Sequence, residues 1–350
     1  MSVRWGVIGA GGIARRRTIP EGIIAAANAE LAAVMDVAPG VAKEVAEEFN
    51  APNYYEDIDG ILADKNVDAV YIAVPVFLHE KIFANALDAG KHVLIEKPLA
   101  LDVATAEKMA GQVKKSGLKA TEGYMMKFHP MHQYARQAIL DGKLGKVVSM
   151  RGQLSCWFPP MENNWRQIPE KGGGGAIMDM ATHVYDLMQY LIGERVFSVS
   201  AFVDNLVHEY KAEDSAVTIL RFIGGCQGVV ESYFNVRDES VPRRLEIYGP
   251  SGSFLSDGTI GQGGGEMREL FLEEGAGYDA DQQREAEVAA YRPVELPEKN
   301  MYQSEIEYLG DCIINDHQPG LNSIEDGLHV LKIAAAAYES ARTGSTVVLQ

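Results

Sequence analysis

The chain has 350 residues, 47% of them hydrophobic, and 32 basic against 49 acidic side chains give a formal net charge of -17. That length fits two domains with sizeable cores, and the acidic balance argues against a nucleic-acid partner. No apolar stretch is long enough to span a membrane, no signal-peptide pattern opens the chain, and Cys156, Cys226 and Cys312 show no metal spacing; a reducing cytoplasm is the expected setting.

Taken in chain order, residues 3–120 alternate strand and helix patterns. Apolar runs at Val3–Gly9, Glu30–Val37, Val67–Pro75 and Val93–Ile95 read as strands. Helical stretches are expected at Ile13–Ala27, Val41–Phe49, His79–Ala89 and Val103–Lys115. Alternation of this kind predicts an α/β fold with a doubly wound parallel sheet, all strand ends lying on one edge. Beyond about residue 125, β-branched and aromatic residues at 145–158, 195–209, 215–235 and 243–256 predict a largely antiparallel second domain. The segment 261–277, rich in Gly and Glu, reads as a loop or exposed hairpin, and the acidic run 266–287 as a solvated surface. The tail from Tyr302 to Thr343 is mostly helical, broken at Pro319-Gly320.

Two constellations carry chemistry. Gly9, Gly11, Gly12 and Ala14 form a G-x-G-G-x-A turn straight after the first strand, and Asp36 ends the second. Gly9 permits the tight turn, Gly11 and Gly12 let backbone approach a diphosphate, and the helix beginning near Ile13 offers its amides. Asp36 favours free ribose hydroxyls, hence NAD over NADP. Arg15-Arg16-Arg17 reads as a solvated helix face. Pro75 ends the third strand near the expected cofactor. His79 is either a helix-start hydrogen-bonding residue or a cofactor-edge residue.

The run Val93-Leu94-Ile95 ends in Glu96-Lys97-Pro98, which places the Lys97 ammonium at a strand's carboxyl end, where open α/β sheets bind ligands. In the second half, Gly172–Gly175 precede Asp179, His183 and Asp186, spaced i, i+4 and i+7 on one helix face. Four glycines there suggest that backbone passes close to something, a ligand being the obvious candidate. An ordinary polar stripe is the plain alternative. A metal site is disfavoured, because no further His or Cys sits at ligand spacing.

On Glu96-Lys97-Pro98, the glycine turn and Gly172–His183, the sequence resembles the Gfo/Idh/MocA oxidoreductase family over essentially its full length. The resemblance extends to the turn Gly142–Val147 and to Glu325–Leu328 and Glu339–Gly344 in the tail. It implies an N-terminal Rossmann domain at 1–123 and an α+β domain at 124–350 with a large, mostly antiparallel open sheet. A C-terminal helix at about 326–342 is expected to pack back on the first domain. The implied activity is NAD(P)-dependent hydride transfer to or from a secondary alcohol of a sugar, glycoside or cyclitol. Lys97 is the implied catalytic lysine, with Asp179 and His183 beside the substrate, and the Lys97–Pro98 bond is often cis in the family. Trp165-Arg166 matches a pair that lies near nicotinamide and substrate in sugar-converting members; core packing is the other reading of Trp165. The expected cofactor contacts are then Gly9, Gly11, Gly12, Ile13, Asp36, Pro75, His79, Glu96, Lys97, Trp165 and Arg166. The expected substrate contacts are Lys97, Lys127, Arg166, Asp179 and His183.

Many members carry Asn at the position of Val76 and Arg at that of Lys127. Lys97 and His183 both stand as the proton acceptor. The absence of a clustered arginine pocket suits a neutral polyol substrate, which needs no strong charge clamp. Face-to-face pairing of the open sheets implies a homodimer or homotetramer. Two rival activities share these features: NAD-assisted glycoside cleavage through transient ring oxidation, and a non-catalytic dinucleotide-binding regulatory role.

Overall fold

The computed structural model describes residues 1–241, 243–272 and 290–349. The first sheet has six parallel strands: β1 (Val3–Ile8), β2 (Ala29–Met35), β3 (Asn53–Tyr55), β4 (Ala69–Ile72), β5 (His92–Ile95) and β6 (Ala120–Glu122). Their order is β3-β2-β1-β4-β5-β6. The order reverses between β1 and β4, which opens a crevice at their carboxyl ends. β1, β4 and β5 are buried along nearly their whole length, which is why they read as unbroken apolar runs. β3 and β6 had no such signal. Each is three residues long, and β6 buries Thr121 and Glu122 where an apolar pair would be expected.

The helix after β1 runs Ala10–Ile23, four residues short of the expected end. Gly12 interrupts its first turn with φ -94 and ψ -123. Pro20 inside it lacks an N–H, so the hydrogen-bond ladder loosens, and the Ile24 amide reaches back to the Ile19 carbonyl at 3.0 Å.

The second sheet has nine strands: β7 (Ser149–Ser155), β8 (Val196–Asp204), β9 (Ser215–Phe222), β10 (Gln227–Tyr233), β11 (Arg244–Gly249), β12 (Gly252–Asp257), β13 (Glu266–Phe271), β14 (Arg292–Pro293) and β15 (Val347–Val348). Their order is β14-β13-β12-β11-β7-β10-β9-β8-β15, antiparallel except where β7 meets β10. The expected spans 215–235 and 243–256 each resolve into a hairpin, because Gly224-Gly225 and Pro250-Ser251 turn the chain. Of the expected loop or exposed hairpin at 261–277, residues 266–271 form β13, which pairs antiparallel with β12 as a hairpin. Residues 273–289, which hold most of the acidic run, lie outside the described residues.

Helices Thr182–Ile192 and Ile324–Thr343 pack on one face of this sheet. The opposite face leaves Phe202 76% and Ile219 49% exposed. Helix Ile324–Thr343 opens with a capping box at Ser323 and Asp326. It also lies against the first sheet's flank, through Lys332–Glu107 at 3.1 Å and Lys114–Glu325 at 3.3 Å. From β8, the Ala201 amide donates to Ser340 Oγ at 3.0 Å. The Asn322 carbonyl accepts from the Glu122 amide at 2.8 Å, so the edge of β6 is covered. One continuous hydrophobic core joins residues of both sheets. Among the described residues, no helix is long and apolar enough to cross a membrane.

Candidate active site

A cavity of about 600 Å³ lies between the two sheets. Its first wall is the carboxyl edge of the parallel sheet. At Gly9 φ is +90°, and a Cβ there would collide with the Ala73 carbonyl at the exit of β4. Only glycine suits that turn. The Gly11 amide donates to Asp36 Oδ2 at 2.9 Å, and Asp36 Oδ1 accepts from the Ala38 amide at 2.9 Å. The carboxylate thereby ties the end of β2 to the glycine turn. Gly12 and Ile13 line the cavity, and a Cβ on Gly12 would meet nothing within 4 Å. That space is a cradle which any side chain would fill.

At the end of β5, Glu96 is held from behind. Tyr71 on β4 donates its hydroxyl to Glu96 Oε1 and receives one from Thr18 at 3.0 Å. Burial raises the Glu96 carboxyl above its ordinary value, partly offset by the Tyr71 bond and the Lys97 charge. The next residue, Lys97, joins Pro98 by a cis peptide, the form the resemblance implied. Its Nζ donates to the Asp179 carbonyl at 2.7 Å and to Asp179 Oδ1 at 2.8 Å. Arg166 approaches the same oxygen through Nε at 3.4 Å. Burial works to raise the Asp179 carboxyl, yet Lys97 and Arg166 outweigh it and hold it well below the usual carboxylate range.

His183 completes the group. It is 7% exposed, lines the cavity and stands edge-on to Tyr124 with ring centroids 5.6 Å apart. Burial, and then the Lys97 charge, push its pKa well down, so the imidazole is neutral. Its Nδ1 has no hydrogen-bond partner among the described residues. Trp165 is half-buried on the cavity wall, with the Arg166 guanidinium 4.2 Å above its ring.

Two expected ligand contacts fail, each for a reason of burial, and His79 takes the hydrogen-bonding one of its two readings. His79 does not reach the cavity. It is 1% exposed, its ring nitrogens face the Val74 and Leu99 carbonyls at 3.0 and 3.2 Å, and burial lowers its pKa to about 4. Its role is to pin the turn after β4. Lys127 does not reach the cavity either. Its Nζ pairs with Asp186 Oδ1 at 2.7 Å, both side chains being almost fully buried, because an ammonium in a core needs a carboxylate. Asp186, engaged by Lys127, does not line the cavity that Asp179 and His183 share. The helix is widened at Ile177–Ala181, ahead of His183, and is regular over Thr182–Ile192, so His183 and Asp186 keep their i, i+3 spacing.

The glycine run also has a protein partner rather than a ligand. Gly175 and Ile177 donate their amides to Glu213 at 2.7 and 2.8 Å, so this carboxylate caps the helix start. A Cβ on Gly174 or Gly175 would collide with Tyr338 or with the Glu213 backbone. Tyr338 in turn donates to Glu213 Oε1 at 2.8 Å.

The arginine cluster splits. Arg15 pairs with Glu48 at 2.7 Å, and Arg17 pairs with Glu21 at 2.8 Å and lies over the Tyr302 ring. Arg16 alone of the three lines the cavity. Sequence reasoning missed Cys156, Asp238 and Arg243, which also line it. They come from strand ends and loops of the second sheet and belong to no motif. No group of His, Cys, Asp or Glu among the described residues is arranged to hold a metal ion.

Comparison with known proteins agrees with this geometry. The model of an oxidoreductase family with an NAD-binding Rossmann fold matches residues 3–124, and that of the GFO/IDH/MocA C-terminal domain matches residues 132–255. The chain is 30% identical over 261 residues to the myo-inositol 2-dehydrogenase of Thermotoga maritima, covering 73% of this chain and 75% of that one. It is 26% identical over 348 residues to the 1,5-anhydro-D-fructose reductase of Ensifer adhaerens, covering 99% and 98%. Among solved structures, an aldose-aldose oxidoreductase from Caulobacter crescentus complexed with glycerol superposes with a TM-score of 0.88 at 27% identity, covering 100% of both chains. A levoglucosan dehydrogenase in complex with NADH and levoglucosan gives 0.86 at 25% identity, again covering 100% of both. A Rossmann sheet with its glycine turn, and a second sheet closing the cavity over the lysine, together make this chain a member of the GFO/IDH/MocA oxidoreductase family.

Proposed function

We propose that the protein oxidises, reversibly, a ring hydroxyl of a sugar or cyclitol, with NAD as its partner. One observation carries the reading: Lys97 Nζ is held by Asp179 at the carboxyl end of β5, in the cavity that also holds Gly12 and His183.

The dinucleotide fits the residues present. The open cradle at Gly12 suits a diphosphate, and the Asp36 carboxylate suits ribose hydroxyls while repelling a 2′-phosphate. NAD is therefore favoured over NADP. When bound, the nicotinamide accepts or returns the hydride; the proton is left to the protein.

The Lys97 ammonium is presented to hold the substrate oxygen, since one of its three protons is not committed to Asp179. His183 lines the same cavity with its Nδ1 unpartnered among the described residues, which suits it to take the hydroxyl proton. Asp179 fixes Lys97 and Arg166, and its negative charge offsets the positive charge that His183 acquires. Trp165 and Arg166 form the flank of the cavity against which a sugar ring packs.

The same proposal divides the chain into a cofactor domain at 1–123 and a substrate domain at 124–350. It also assigns the exposed face of the second sheet to a further copy of the chain, giving a homodimer or homotetramer. The three thiols Cys156, Cys226 and Cys312 are free, which suits a reducing cytoplasm.

The test uses purified protein, NAD and a panel of inositols, aldoses, anhydro sugars and levoglucosan, followed by NADH absorbance. Lys97→Met is expected to lower kcat roughly 100- to 10,000-fold, with NAD affinity kept. His183→Asn is expected to lose roughly 100-fold or more. Turnover by Lys97→Met equal to that of the unmodified protein would overturn the reading.

A further inference from the structure

The cavity carries more positive charge than a neutral polyol requires. Arg16, Lys97, Arg166 and Arg243 line it, against Glu96, Asp179 and Asp238. Lys97 and Arg166 share Asp179. Glu96 is engaged by the Tyr71 hydroxyl. Asp238 accepts the Trp157 amide at 2.9 Å and forms no ion pair among the described residues. Among the described residues, two guanidinium groups remain without a carboxylate. Arg16 stands on the helix after the glycine turn, where the diphosphate of a bound dinucleotide would supply its counter-charge.

Arg243 has no such answer. It immediately precedes β11, on the wall formed by the second sheet. It is half-buried, and among the described residues its side chain makes no ion pair and no hydrogen bond. Its sequence neighbour Arg244 pairs with Glu246, and Arg237 lies 4.5 Å over Trp157. A half-buried guanidinium facing a cavity is costly unless something anionic meets it.

Its position is also built. Gly261 adopts φ +119°, and a Cβ there would stand 3.1 Å from Arg243 Nη1 and 3.4 Å from its Cδ. The glycine leaves the lane in which the arginine lies. That loop is clamped on both sides: Arg17 donates to the Gln262 carbonyl, and His129 Nε2 lies 2.7 Å from the Gly264 carbonyl.

We propose that Arg243 recognises a carboxylate on the substrate, so that the sugar turned over is a sugar acid such as a uronate. The inference rests on the dehydrogenase reading above and narrows its substrate class. A guanidinium fork matches a carboxylate in shape and in its single charge. Asp238 on the same cavity wall opposes a dianion, which disfavours a phosphorylated sugar.

The experiment compares matched pairs: D-glucuronate with D-glucose and with D-glucuronamide, and D-galacturonate with D-galactose. kcat/KM is measured with NAD, and binding to the NADH-loaded protein by calorimetry. The acid is expected to exceed its neutral partner by roughly 100-fold, the scale of one charge-assisted pair. In Arg243→Gln that ratio collapses towards one, chiefly through KM, and Arg243→Lys restores part of it. Thermal melting of both variants confirms folding. Preference for the neutral sugars, or an acid-to-neutral ratio unchanged in Arg243→Gln, overturns the inference. The dehydrogenase reading fails separately: no substrate is turned over, while Arg243-dependent binding of uronate in calorimetry still upholds the carboxylate site. Absence of that binding overturns the inference as well.

Discussion

Lys127 and Asp186 show how much a single residue's surroundings decide. The lysine was expected at the substrate, and it lies instead in the core beside a carboxyl that burial raises to about 6. Truncating one member of a buried pair leaves the other charge uncompensated. Lys127→Met is expected to cost about 3–5 kcal/mol of stability, read by urea unfolding at pH 7, with NAD affinity in the surviving native protein little changed. Asp36 is the residue to change for cofactor choice. Asp36→Ser removes the charge that opposes a 2′-phosphate. The ratio of kcat/KM for NADP over NAD is expected to rise by roughly tenfold or more, the scale of about 1.4 kcal/mol, and an unchanged ratio would remove Asp36 from cofactor selection. Neither Lys127 nor His79 could be placed from sequence, because burial is a property of what packs around a residue. Asp36 could, since its place at the end of an apolar run, a little over one helix beyond the glycine turn, is itself the signal.

Among the elements, the segment from Met125 through the helix Pro130–Leu140 lies under the cavity and is fixed by histidines. His132 is fully buried, with Nδ1 2.9 Å from the Met126 carbonyl and Nε2 3.1 Å from Thr259 Oγ1. Burial, and then the nearby His129, lower its pKa to about 3. The sign follows directly. The unfolded chain binds a proton on this ring below about pH 6.5 and the native state does not. Stability is therefore full above that pH and is lost as pH falls towards 3. Each such histidine steepens the loss by up to about 1.4 kcal/mol per pH unit. His132→Gln is expected to flatten the dependence of unfolding free energy on pH between 6.5 and 4 by close to one proton, measured by denaturant titration at several pH values. Elements also show where patterning is legible. β1, β4 and β5 announce themselves because each is buried on both faces. β3 and β6 do not, since three residues carry no periodicity and β6 buries polar side chains under the tail. The glycines at Gly172–Gly175 marked a close approach correctly, but the partners, Glu213 and Tyr338, are distant in the chain.

For the whole molecule, the second sheet presents an apolar patch to the outside. Ser200 pairs with Ile219 and Phe202 with Val217 across β8 and β9, and Val229 on β10 lies beside Ile219. These residues share the face that no helix covers among the described residues. A contiguous apolar patch on an open sheet marks an interaction surface. Under the proposed assembly, Phe202→Glu combined with Ile219→Glu is expected to reduce the mass in light scattering from a dimer or tetramer to a monomer. A monomeric unmodified protein would remove the assembly reading while leaving the active-site proposal standing.

What the sequence by itself determined is local: the glycine turn, the apolar strands, Asp36 and the strand-end Glu96-Lys97-Pro98. Each follows from a backbone constraint or a periodicity contained within a few residues. Only the tertiary structure decided which side chains share a space. It brought Lys97 onto Asp179 across 82 positions of chain, withdrew Lys127 and His79 into the core, and opened Arg243 and Arg16 to the cavity. The reason is physical: a charged side chain goes where its desolvation is compensated, and the groups that compensate it are assembled only when the two sheets meet.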